Sequence, residues 1–148
     1  MWFRGGDYMT TDEVKKYLRQ AEKLDKRLTR ERRNLEKLMS AAEYRSPAFD
    51  SAGGGGNGDK ICSAVSRIME EEQRVQELTD LYTAKYVEIE QTIRSIDDDT
   101  LEEVLELRYL HGQSWEDIAD TMHYALRSVY EFHGRALQKI AVKCIELQ

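Results

Sequence analysis

The residues best suited to chemistry lie in one short stretch near the C-terminal end: Arg127, Ser128, Tyr130, Glu131, Arg135, Gln138 and Lys139. They are cations, hydroxyls, an amide and one carboxylate. Such a set binds rather than reacts. Guanidinium and amide groups pair with base edges, and Lys and Arg neutralise phosphates. Other constellations fail on their own terms. His111, His123 and His133 lack metal-ligand spacing and have no Cys or His partner nearby, so structural or surface roles and no metal are expected. Gly53 and Gly58 have the separation of a phosphate-binding loop, but Asp59 replaces the required lysine and no strand precedes. Ser114 and Ser128 suit capping or phosphate roles. No nucleophile, base and orienter assemble, so neither an enzyme nor a cofactor is expected. Cys62 and Cys144 read as free thiols on helices.

The elements that must position this stretch precede it. Asp97-Asp98-Asp99-Thr100 reads as a helix N-terminus, with Asp99 as the cap. Leu101, Val104, Leu105 and Tyr109 follow at helical spacing, and Gly112 ends that helix. Ser114 begins a short helix, Trp115 to Met122, with Asp117 as its capping partner. His123-Tyr124-Ala125 makes a turn, and a final helix runs from about Leu126 to Ile145. Helix, three-residue turn, helix is the helix-turn-helix arrangement. Ala119 is small where the second helix crosses. His123 stands where the turn favours Gly, and His tolerates the left-handed region better than most residues. Ile118, Val129, Phe132, Ala136, Leu137 and Ile140 face inward, Tyr124 covers the core, and Trp115 packs against the preceding helix. The outward face is then the one a major groove would receive. Arg127 lies in its first turn, where base edges are reached; Arg135 and Lys139 lie nearer the phosphates.

Upstream the pattern is longer and simpler. Residues 1–9 read as a loose extension, with Met9 an alternative start. Thr10 and Glu13 have capping-box spacing. From there a heptad seam runs Val14, Tyr17, Ala21, Leu24, Leu28, Leu35, Leu38, Ala42. Residues 45–59, with Pro47 and the Gly53–Gly58 run, read as a flexible loop. A second seam follows: Ile61, Val65, Ile68, Val75, Tyr82, Tyr86, Ile89, Ile93, Ile96, with Glu72 and Thr79 at its polar positions. Two helices of about 50 and 55 Å joined by a loop predict an antiparallel hairpin over residues 10–96, followed by a helix-turn-helix domain over 97–148. The fold class is all-α. Met69, Leu78 and Leu81 lie off the seam and are expected to supply a homodimer contact.

Composition agrees. Of 148 residues, 41% are hydrophobic and 34% charged, too apolar for a disordered tail and too charged for a membrane span. No signal peptide or membrane helix is visible, so a bacterial cytoplasm is the expected compartment and no membrane partner is expected. The net charge of −6 hides an uneven distribution: +4 over residues 10–45, −8 over 97–124 and +3 over 125–143. A general basic coat is excluded; a local basic segment is not.

Leu107-Arg108-Tyr109, Ser114-Trp115-Glu116-Asp117-Ile118-Ala119, Ser128-Val129-Tyr130 and Arg135-Ala136-Leu137-Gln138-Lys139-Ile140 resemble region 4 of bacterial sigma factors, over residues 97–143. With the upstream hairpin and Gly-rich loop, the whole chain resembles the small phage late transcriptional regulators of the ArpU and RinA type. The resemblance implies a prophage-encoded activator of late packaging and structural genes that binds double-stranded DNA. Sigma proteins usually place Arg or another polar residue near the positions of Leu126 and Tyr130, so the site read here is expected to differ.

Two other functions fit the same pattern. A terminase small subunit also joins a helix-turn-helix to helical oligomerisation elements, and would form rings. An interaction module would use the acidic stretch 97–124 and Glu131 to dock on host RNA polymerase or a repressor.

Overall fold

The computed structural model describes residues 9–44 and 57–146. Every element in them is helical, and the described residues contain no strand. The elements are α1 (Thr11–Leu18), α2 (Gln20–Tyr44), α3 (Asn57–Arg94), α4 (Asp99–Leu105), a π-helical turn (Glu106–Leu110), α5 (Trp115–Met122) and α6 (Leu126–Glu146). No described helix is long and apolar enough to cross a membrane. The expected extension falls almost wholly outside the described residues, as does the expected loop up to residue 56. Its last three residues, 57–59, are instead the first turn of α3.

The helix starts follow local chemistry. The Thr10 hydroxyl accepts from the Glu13 amide at 3.3 Å, and Glu13 accepts from the Thr10 amide at 2.7 Å, completing the capping box. The Thr10 amide and then the Thr10 hydroxyl, both donating to Glu13 Oε2, hold the Glu13 carboxyl below the usual carboxylate range. At α4 the cap is Asp98, not Asp99: its carboxylate accepts from the Leu101 amide at 3.2 Å. Asp97 just before it has φ 54, a left-handed conformation that Asp tolerates, and the helix starts one residue earlier than expected. Gly112, at φ +66, stands at the stop expected of it.

The chain divides into two compact units, one of Met1–Lys23 with Thr83–Gln148, the other of Leu24–Tyr82. The boundary expected at residue 97 does not coincide with this division. In the first unit α1, α4 and α5 all pack on α6. Its core includes Val14, Leu18, Ile89, Ile93, Leu101 and Leu137. Tyr17 reaches Glu88 at 2.9 Å and Thr92 at 3.1 Å, which ties α1 to the end of α3. Leu18, which the heptad reading skips, is fully buried because α1 also packs on α6.

In the second unit Leu28 and Leu78 are buried. Leu78 is only 8% exposed, so it belongs to the unit's own packing and not to an outer contact; Met69 and Leu81 remain exposed. The expected seam loosens toward one end: Ile61 and Val65 are about half exposed. Glu71, rather than Glu72, turns inward. Its carboxyl hydrogen-bonds Glu31 of α2, and this contact, ahead of Asn34, holds Glu31 below the usual carboxylate range. Arg74 pairs with Glu71 at 3.2 Å, while the other Glu71 oxygen, Oε1, is buried without a partner.

Candidate nucleic-acid interface

α5, its turn and α6 form a defined corner. The Ser114 hydroxyl accepts from the Asp117 amide at 3.1 Å and starts α5. His123 ends it at φ 57, ψ 40, the left-handed conformation that the turn requires. The Tyr124 amide then donates to the Ala119 carbonyl at 3.1 Å, closing the turn. Beneath it Val104, Leu107, Ile118, Ala119, Met122 and Val129 form one apolar cluster, with Trp115 and Phe132 packed against it. Tyr124 meets Phe132 edge-on at 5.0 Å but stays half exposed, so it covers the core only in part.

That packing fixes which way α6 faces. Val129, Ala136, Leu137 and Ile140 are buried, Phe132 is partly so. At about 100° per residue, Arg127, Glu131, Arg135 and Gln138 share one outer strip within about 80°. All four are exposed. Ser128 is half-buried at its edge. Arg127 is 91% exposed, and its Nε lies 3.3 Å from Glu131 Oε1, so the first-turn cation has a carboxylate beside it. Lys139 lies about 120° round from Arg127, off the strip, with its Nζ 3.7 Å from Asp98. Tyr130 lies on the other flank, its ring 5.2 Å from that of Trp115. The site residues are thus four on a common face and three at its margins.

Trp115 packs as expected, but on more partners than the preceding helix. The Arg108 guanidinium sits 4.5 Å over its ring and His133 meets it edge-on at 4.7 Å. Arg108 Nη1 also donates to the Gln113 carbonyl at 2.8 Å, bracing the loop before α5. His133 is buried and bonded to the Tyr109 hydroxyl at 2.8 Å. Burial, then the Lys15, Arg108 and Arg19 charges, push its imidazole down to about 4. Burial likewise pushes the Tyr109 phenol up. The sequence gives no sign of the π-helical turn that carries Arg108 and Tyr109.

The outer side of α5 has the opposite sign to that of α6. Glu116, Asp117 and Asp120 are all exposed. Among the described residues no group of His, Cys, Asp or Glu has the arrangement of a metal site. Cys62 is an exposed free thiol, and the Cys144 side chain lies outside the described residues. No protein-family model, curated protein or solved structure matches this chain.

Proposed function

We infer that this chain is a DNA-binding transcriptional regulator of the phage late-gene type, reading duplex DNA with α6. The finer architecture in this reading is a helical hairpin over 10–96 joined to a sigma region 4-like helix-turn-helix over 97–148. Early residues pairing with late ones, Tyr17 with Glu88 and Glu31 with Glu71, support the hairpin. One observation carries the DNA reading: the left-handed corner at His123, locked over buried Val129, turns Arg127, Glu131, Arg135 and Gln138 outward together. A first-turn Arg and a mid-helix Gln are groups that read guanine and adenine edges. Homodimerisation through exposed Met69 and Leu81 would give two such readers for two half-sites.

A second reading has its own support. Glu116, Asp117 and Asp120 repel phosphate, and Glu131 neutralises Arg127. A corner of that kind docks on a basic protein surface, such as one on RNA polymerase. The deciding experiment is selection from a random-sequence duplex pool. Enrichment of one motif, and its occurrence upstream of packaging genes, is the expected result. Retention of duplexes without any enriched motif removes α6 as a reader and leaves the docking reading.

A further inference from the structure

The acidic chain carries a strongly basic row outside the α6 face. In the second unit, α2 presents Lys26, Arg30, Arg33 and Lys37, all exposed. The steps of four, three and four place them on one stripe of the helix, on the side away from buried Leu28 and half-buried Leu35. The four consecutive stripe positions are all cationic and none is Asp or Glu. The row spans about 16 Å. Among the described residues no carboxylate pairs with Arg33 or Lys37, and Arg30 has only a loose 3.8 Å approach to Glu31. In the sequence the same spacing continues upstream through Lys23, Arg19 and Lys16.

We propose that this stripe of α2 is a second, sequence-independent DNA contact that holds the phosphate backbone of a duplex. Ordinary solvated helices interleave both signs; here like charges repel along Arg30, Arg33 and Lys37 unless an anion lies across them. Duplex DNA supplies about one charge per 1.7 Å of its axis, so a row of this length meets a continuous line of phosphates. Half the row is Arg, whose guanidinium grips phosphate oxygens in pairs. The need is also visible at α6. Of its three candidate cations two stand beside carboxylates, so the reading face brings little net charge to bear. Most protein–DNA hydrogen bonds go to phosphate and sugar, and something else must make them. The proposal rests on the DNA-binding reading for the identity of the anion, but not on α6 as the reader.

The test uses the full chain and a random-sequence duplex of about 40 base pairs, titrated by anisotropy from about 50 mM salt upward. The variant Arg30→Gln, Arg33→Gln, Lys37→Gln keeps good helix formers at each position. A matched variant, Arg32→Gln, Lys60→Gln, Arg67→Gln, removes the same charge from exposed positions off the stripe. The stripe variant should flatten the slope of log affinity against log salt by about 2–3 units, with helicity unchanged by circular dichroism. The matched variant should leave the slope near wild type. Equal slopes in stripe variant and wild type, or equal flattening in both variants, overturn the proposal; an enriched motif in the pool selection would still leave α6 as a reader. A flattened slope with no enriched motif keeps the stripe and removes α6. Wild-type protein that binds no duplex at low salt overturns the proposal.

Discussion

The Tyr109 hydroxyl and His133 Nε2 lie 2.8 Å apart inside the first unit and join the π-helical turn to the middle of α6. A neutral imidazole completes this bond while its ring packs against Trp115. Protonation would place a charge in the core beside three cationic residues, which is why the imidazole is held down to about 4.

The consequence is a pH-dependent stability with a definite sign. The unfolded chain's histidine takes a proton near 6.5 and the folded one near 4. Between those values the unfolded state binds more protons, so stability is complete above about 6.5 and is lost as the pH falls toward 4. At pH 5 the loss from this one group is about 2 kcal/mol. Thermal melts of wild type and His133→Gln at pH 7.5 and 5 should differ by that amount in their pH response. Parallel losses in the two proteins would remove His133 as the cause.

Glu71 predicts a gain on removal. It is buried in the second unit, faces Glu31 and leaves Oε1 without a partner. A buried carboxylate with an unmet oxygen costs about 1–3 kcal/mol. Glu71→Leu, which keeps a helix former and fills the site with apolar surface, should therefore stabilise the unit, by about 1 kcal/mol or more. Urea melts followed by circular dichroism measure this. A destabilised variant would mean that the Arg74 pair and the Glu31 contact together outweigh the orphaned oxygen.

The turn predicts another gain. His123 holds φ 57, ψ 40, a conformation that costs an L-residue about 1 kcal/mol and glycine almost nothing. His123→Gly should raise the melting temperature, with a net gain of about 0.5 kcal/mol after the extra freedom of the unfolded chain is discounted. His123→Val should lower it, because a branched side chain fits that region worst. Equal melts for the glycine and valine variants would show that the corner does not need the left-handed residue.

These residues also show what a sequence can and cannot display. Capping at Thr10 and Ser114, the Gly112 stop and the left-handed His123 are local events governed by neighbours three or four positions away, so their signals lie in the string itself. The outward orientation of Arg127, Glu131, Arg135 and Gln138 follows from the inward periodicity of Val129, Ala136 and Ile140. Leu18 and Leu78 are different. Each reads as off-seam in a two-helix heptad, and each is buried, Leu18 because α1 also packs on α6. Tertiary neighbours of that kind leave no periodic trace. The same holds for the Lys139–Asp98 contact, which joins positions 41 apart and sets a carboxylate beside an expected site residue. The π-helical turn at Glu106–Leu110 has no composition signal at all.

The outer strip of α6, proposed to read DNA, gives the last prediction, and the Arg127–Glu131 pair decides its form. Arg127 is the one cation of the outer strip in the first turn of α6, and it is almost fully exposed. A bidentate contact from it to guanine is worth about 1–3 kcal/mol of discrimination. Arg127→Ala should therefore weaken binding to the selected motif by that amount and binding to random duplex by much less. Glu131 competes with DNA for the same guanidinium and repels phosphate, so Glu131→Gln should strengthen binding to random duplex. Arg135→Ala should weaken both duplexes alike and flatten the salt dependence by about one unit of slope. Lys139→Ala should do less than that, because Lys139 lies off the strip beside Asp98. None of these four should lower the melting temperature much, since all four side chains are exposed. Val129→Asp should unfold the corner, because it puts a charge where α6 crosses the apolar cluster beneath the turn. Titration of each variant on motif and random duplexes at several salt concentrations, with a melt of each, separates these outcomes. If Arg127→Ala binds the motif as well as wild type does, α6 does not read DNA through its first turn, and the acidic α5 face becomes the functional side of the corner.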